Sequence, residues 1–136
     1  MQKKRKNLLK RLADFHGHLG PYLIIGWKMG KKANEKLGKD PFEMKARVKT
    51  GNETPLSCIV DGIQFSTGCT LGKGNIEISN EKKPEAVFEK EDKKISLSLR
   101  KDILEKILQT SEDSIEELAE KMFKKEKDDF FTILEK

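Results

Sequence analysis

The N-terminal third of the chain places apolar residues at helical spacing among lysines and arginines. This pattern predicts an amphipathic helix over residues 4–15. A second helix is predicted from Pro21 to Leu37, because proline is favoured at the first helical position, where its missing N–H has no intrahelical partner. Gly38 follows as the C′ residue. The turn between the two helices reads His-Gly-His-Leu-Gly.

The middle of the chain changes its period twice. Residues 44–48 alternate apolar and basic side chains, which is typical of a half-buried strand. Thr54 and Pro55 then suit the start of a short helix over 55–66, whose apolar side chains repeat at intervals of three, four and seven. A glycine-rich loop over 67–75 comes next.

The C-terminal half predicts short strands followed by helices. In chain order these are a strand starting at Ile76, a hairpin of 86–89 and 95–99 around the charged turn 90–93, a helix over 102–109, a last helix capped by Thr110 or Ser111 and broken at Asp128-Asp129, and an edge strand or docking tail over 130–134. The order α-α-β-α-β-β-β-α-α predicts an α+β fold with helices on one face of a mostly antiparallel or mixed sheet. We expect one domain over residues 1–136.

Composition narrows the classes of partner. The 28 basic and 23 acidic residues give a net charge of +5 and are well mixed, which argues against a nucleic-acid groove. A basic cluster, Lys3 to Lys6 with Lys10 and Arg11, suits either a phosphate or acidic partner or a solvated helix face. No apolar run approaches the roughly 20 residues that span a bilayer. We therefore expect a cytoplasmic protein whose two cysteines are free thiols.

Two histidines and a cysteine are the candidates for chemistry. His16 and His18 flank Gly17 just before the second helix, and Cys69 lies in the glycine-rich loop. Imidazole nitrogen and thiolate sulfur are ligands that zinc and related transition metals accept, so His16, His18 and Cys69 are the predicted metal ligands. The alternative is a cysteine-dependent enzyme or redox protein in which Cys69 is the nucleophile and His18 the base. A buried, inert Cys69 behind a structural turn is also open.

Three further polar side chains are predicted to bind a cofactor or line a pocket. Lys73 lies in a loop whose backbone N–H groups suit an anion, although the spacing of a P-loop is not met. Asp61 and Gln64, three residues apart, share a polar helix face that lines a pocket or faces solvent. Cys58, on the same helix, is assigned to the core.

Four ordered motifs resemble the FmdE (FwdE) family of formylmethanofuran dehydrogenase, and they cover the region from residue 15 to 78 most strongly. The motifs are Phe15-His-Gly-His-Leu-Gly-Pro, Gly26-Trp-Lys-Met-Gly30, Cys58-Ile-Val-Asp61-Gly-Ile-Gln64 and Thr67-Gly-Cys-Thr-Leu-Gly-Lys-Gly-Asn75. The resemblance implies a core domain similar in topology to the catalytic domain of glyceraldehyde-phosphate dehydrogenase, commonly a homodimer. It places His16, His18 and Cys69 at the family's metal or active-site positions.

Two departures from the family accompany the resemblance. Gly20 stands where many members have a cysteine, so a fourth metal ligand must be water, a substrate or a group from a second copy of the chain. The cysteines of the C-terminal zinc-binding module that many members carry are also missing. The resemblance implies an accessory or subunit-like role beside formylmethanofuran dehydrogenase, a molybdenum or tungsten enzyme of methanogenesis-type C1 metabolism.

Overall fold

The computed structural model describes residues 2–126 and 129–135. The helices are α1 (Gln2–His16), α2 (Pro21–Leu37), α3 (Cys58–Thr67), α4 (Lys101–Gln109) and α5 (Glu112–Lys124). The strands are β1 (Lys45–Val48), β2 (Ile76–Ile78), β3 (Glu85–Lys90), β4 (Lys93–Leu99) and β5 (Phe131–Glu135), and a single 3₁₀ turn spans Leu71–Lys73. Within these residues, no helix has both the length and the apolar content required to traverse a bilayer.

The strands form one mixed sheet in the order β2-β1-β3-β4-β5. β1 and β2 are parallel, whereas the other neighbouring pairs are antiparallel. Side chains of β1 alternate across the sheet: Ala46 and Val48 are buried while Lys45 and Arg47 face solvent. The prediction of an α+β fold with a mostly antiparallel, mixed sheet is confirmed.

The core lies where α2 packs against α3 and against strands β3 and β4. Residues 21–30 of α2 are all buried, so this helix has no solvent-facing side over its first half. Glycines permit the close contact with α3, because a Cβ on Gly26 would overlap the Ile59 carbonyl and one on Gly62 would meet the Trp27 amide nitrogen. The smooth face predicted for Gly26 and Gly30 therefore packs against a helix of the same chain.

Most predicted boundaries agree with the structure to within two residues. α2 begins at Pro21 and ends at Leu37, with Gly38 at a positive φ of 85° and its N–H donating to the Asn34 carbonyl. The helix predicted over 55–66 instead spans 58–67, because the preceding residues form tighter turns in which the amide of Cys58 bonds to the Pro55 carbonyl three residues back. α5 ends at Lys124, and Asp128 of the predicted break lies outside the described residues.

Candidate metal centre

Two separate segments bring the candidate ligands together. His16 is the last residue of α1, and His18 lies in the turn that leads to α2. Gly17 between them has a φ of 109°, a conformation that L side chains rarely adopt, and this lets the chain reverse between the two imidazoles. Cys58, the first residue of α3, is the third member of the group.

The three side chains are close enough to share one ion. The metal-binding atoms of His16, His18 and Cys58 all lie within 4.8 Å of one another. The two imidazole ring centroids are 4.7 Å apart, with the rings inclined at 52°. Zinc binds nitrogen at about 2.0 Å and thiolate sulfur at about 2.3 Å, so small side-chain rotations suffice for a common ion.

A carboxylate fixes the orientation of the His16 ring. His16 Nδ1 lies 2.6 Å from Asp61 Oδ2, and the His16 side chain is 9% exposed. With the Nδ1 proton donated to Asp61, Nε2 carries a lone pair. This Nε2 is buried and has no hydrogen-bond partner among the described residues. A buried nitrogen with a free lone pair, held by a carboxylate on the other side of the ring, is the arrangement found for histidine ligands of metals.

Asp61 is itself held by the glutamine one turn later. Gln64 Nε2 donates to Asp61 Oδ1 at 3.4 Å, while Gln64 Oε1 accepts from the Leu71 amide at 3.0 Å. Asp61 and Gln64 also line a cavity of about 260 Å³, together with His16 and Cys58. The two residues predicted to line a pocket therefore do so, and they link the 3₁₀ turn to the His16 ring. Their part in binding a cofactor stays a prediction.

Electrostatics around Cys58 favour the thiol when no ion is present. Burial raises the pKa of the Cys58 thiol above its ordinary value, and the nearby Asp61 charge raises it further. A metal ligand must be the thiolate, so ion binding has to expel the proton. The Asp61 carboxylate, which opposes the thiolate alone, would attract the positive charge of the ion.

Cys69 has a different environment. It is completely buried, and its Sγ donates to the Met44 carbonyl at 3.4 Å. Burial raises its pKa, an effect that outweighs the lowering by Thr67 and Lys73. Among the described residues, the group with metal-binding geometry contains Cys58 and does not include Cys69. The assignment of Cys69 as metal ligand or nucleophile stays a prediction, and a fully buried, protonated thiol argues against it.

The glycine-rich loop is a packed corner of the fold. Asn75 Nδ2 donates to the carbonyls of Pro41 and Met44, at 2.6 and 3.2 Å, and Asn75 Oδ1 accepts from the Thr70 amide at 2.9 Å. Lys73 is exposed, and its Nζ donates to Thr70 Oγ1 at 2.9 Å. The loop thus fixes β1 and the start of β2, and anion binding by Lys73 stays a prediction.

A family profile described as "FmdE, Molybdenum formylmethanofuran dehydrogenase operon" matches residues 15–135, which include every candidate residue above. The chain belongs to the FmdE family. Its fold matches the crystal structure of a tungsten formylmethanofuran dehydrogenase FmdE-like protein from Syntrophus aciditrophicus, with a TM-score of 0.70. That match covers 96% of this chain and 71% of the other, at 18% sequence identity.

A curated relative is similar over a shorter segment. It is a probable S-adenosyl-L-methionine-binding protein from Archaeoglobus fulgidus, 38% identical over 80 residues. The match covers 55% of this FmdE-family chain, and it spans about a fifth, 21%, of the relative's length.

Gly20, where many FmdE proteins have a cysteine, borders the site. A Cβ at this position would lie 3.2 Å from His18 Cε1 and 3.6 Å from His18 Nδ1. Its backbone is extended, with φ of −147° and ψ of 163°, so a side chain there is permitted by the backbone. The missing side chain therefore leaves space directly beside the His18 ring.

The sequence contains a signal for Cys58 that its assignment to the core overlooks. Cys58 and Asp61 are three residues apart on one helix, so they share a face. A helix face that carries a carboxylate suited to support a metal ligand is also a place to look for a ligand. The apolar neighbours Ile59 and Val60 hide that relation, because they make the segment look like core throughout.

Proposed function

We propose that this FmdE-family protein is a metal-binding accessory or subunit-like partner of formylmethanofuran dehydrogenase, with one transition-metal ion held by His16, His18 and Cys58. The observation that carries the proposal is the buried, unpartnered Nε2 of His16 beside a second imidazole and a thiol, all among the described residues. An unpaired buried nitrogen is costly in the absence of a ligand. Asp61 supports the ring from its other side.

The donor set favours zinc over magnesium or calcium. Two imidazole nitrogens and one thiolate are borderline or soft donors, whereas magnesium and calcium prefer oxygen. A bound ion with three protein ligands would act as a Lewis acid towards a molecule in its remaining position. Around it, Asp61 holds the tautomer of His16, and α2 supplies a buried apolar support for the histidine turn.

Metal content in three matched proteins tests the site. Wild type is expected to contain about one equivalent of zinc per chain. Cys58→Ser should lose the ion, because it removes the thiolate, while Cys69→Ser should retain it. Replacement by cobalt should give a thiolate-to-cobalt charge-transfer band in wild type and Cys69→Ser. Metal-free wild type, or loss of metal in Cys69→Ser with retention in Cys58→Ser, would contradict the site.

The accessory role is supported by family membership and by the structural neighbour, which is itself a tungsten formylmethanofuran dehydrogenase FmdE-like protein. We infer a cytoplasmic homodimer from the same resemblance. The test is size-exclusion chromatography of the protein with purified molybdenum or tungsten formylmethanofuran dehydrogenase. Co-elution in a defined ratio is expected, and separate elution at micromolar concentrations of both would argue against the role.

A further inference from the structure

An apolar cavity of about 420 Å³ lies directly against the candidate metal ligands. His16, His18 and Cys58 form part of its wall. The remaining wall comes from the start of α2 and from the junction of α4 with α5. Its apolar side chains include Leu19, Leu23, Ile107, Leu108 and Ile115.

The cavity has a buried floor and an exposed edge. Leu23 is fully buried and Ile107 is 5% exposed, whereas Leu108 is 70% exposed despite its large apolar side chain. His18 is exposed, so an ion beside it can be reached from outside. A molecule entering past Leu108 would meet the imidazoles and the thiol on one side and aliphatic carbon on the other.

The charges restrict what can be buried there. Glu112 is the one charged side chain besides the candidate ligands, and no Lys or Arg is found among the described residues that line the cavity. Because Glu112 is exposed, its charge stays hydrated at the rim. A divalent ion with one thiolate and two neutral imidazoles carries a net charge of +1. A monoanion neutralises this charge, whereas a dianion leaves an uncompensated charge in an apolar space.

We propose that the cavity binds a small organic monoanion, with a carboxylate-like head at the open metal position and an aliphatic body against Leu23, Ile107 and Ile115. This inference rests on the proposed metal site and names the class of ligand that the site would take. Three protein ligands leave one position of a tetrahedral ion open. The space beside Gly20, which a Cβ would reduce, adjoins the same His18 ring.

The test uses the cobalt-loaded protein and a series of straight-chain carboxylates: acetate, butanoate and hexanoate. Each should change the visible cobalt spectrum, and the affinity should rise by up to about fourfold for each fully buried methylene. Succinate, a dianion of similar length to butanoate, should bind at least about tenfold more weakly than butanoate, because its second charge enters the apolar space.

A matched pair of surface variants locates the aliphatic body. Leu108→Glu should abolish the dependence on chain length while the cobalt spectrum of the ligand-free protein stays unchanged. Leu134→Glu is the control, because Leu134 is also an exposed large apolar residue, 63% exposed, but does not line this cavity. Equal effects of the two substitutions would overturn the proposal.

The outcomes separate this inference from the metal site itself. Cobalt binding with a charge-transfer band, but no spectral response to any carboxylate or no dependence on chain length, overturns the ligand and leaves the metal site standing. Failure to bind cobalt overturns both. If sedimentation shows a dimer that Leu108→Glu dissociates, and the carboxylate series is flat, a second copy of the chain covers the cavity and the proposal is wrong.

Discussion

The two ends of α3 each carry a buried cysteine, yet only one end has the surroundings of a reactive site. At the N-terminal end, Cys58 lies beside two imidazoles and one turn before Asp61. At the C-terminal end, Gly68 caps the helix and Cys69 donates to the Met44 carbonyl. Both thiols have a raised pKa because of burial. Burial and sulfur alone therefore do not distinguish them; the neighbouring ligands do.

The difference follows from what each end contacts. Cys58 faces the turn where α1 reverses, and the two imidazoles of that turn complete its group of candidate ligands. Cys69 faces the start of β1, where a backbone carbonyl takes its S–H. A short helix can thus present a ligand at its first residue and a packing contact just after its last one, with ten residues between the two roles.

The largest expected difference between the two ends is in stabilisation by metal. Zinc at about 1,000 times its dissociation constant should raise the free energy of unfolding of wild type by about 4 kcal/mol. Cys69→Ser should keep this gain. Cys58→Ser should lose most of it at the same zinc concentration, since a direct ligand contributes more than the roughly 100-fold in affinity that supporting residues supply.

Urea unfolding with and without zinc measures this gain for each protein. The comparison between the helix ends fails if zinc stabilises Cys58→Ser and wild type equally. It is reversed if Cys69→Ser alone loses the gain, since that would assign the ligand to the glycine-rich loop.

The next largest effect concerns Asp61, which distinguishes the N-terminal end even though it is not a proposed ligand. Asp61→Asn keeps the shape of the side chain but no longer offers a carboxylate to His16 Nδ1, so zinc affinity should fall by about 10- to 100-fold. Asp14→Asn, an exposed carboxylate on α1, controls for the change in net charge. Competition with a chromogenic chelator gives both affinities, and equal values for the two variants would remove the positioning role.

Local signals explain why the elements could be predicted and the pairing of the cysteine could not. Pro21 and Gly38 act through their own backbone conformations, so the bounds of α2 follow from the residues themselves. The parallel pairing of β1 with β2 depends on a contact across the intervening helix α3, and sequence spacing does not encode it. α3 starts three residues later than its proline suggests because tighter turns compete with the first helical turn.

The candidate site is predictable only in part for the same reason. His16 and His18 are neighbours in sequence, so their proximity is a local property. The choice between Cys58 and Cys69 depends on which end of α3 meets the histidine turn. That is decided by the packing of Gly26 and Gly62 between α2 and α3, a contact between distant residues.

A smaller effect is expected on stability when the C-terminal thiol is removed. Cys69→Ala deletes one buried sulfur, but the Met44 carbonyl keeps its bond from Asn75 Nδ2 at 3.2 Å. No acceptor is left unsatisfied at this carbonyl, so the free energy of unfolding of the metal-free protein should fall by only about 1 kcal/mol. Urea unfolding measures the change. A loss above about 3 kcal/mol would mean that Cys69 has a larger role in the core than its contacts indicate.

The smallest expected effect is a dependence on alkaline pH that zinc should divide between the two ends. Because burial raises both pKa values above 9.0, the folded metal-free protein holds its thiol protons more tightly than the unfolded chain. Stability from this source is complete below the unfolded pKa and is lost as pH rises through the folded values. Iodoacetamide should accordingly label both thiols slowly at neutral pH and faster as pH rises. Zinc should block labelling of Cys58 and leave the pH profile of Cys69 unchanged, and mass spectrometry of the labelled peptides reads each site separately. Protection of Cys69 by zinc would mean that both ends of α3 sense the ion.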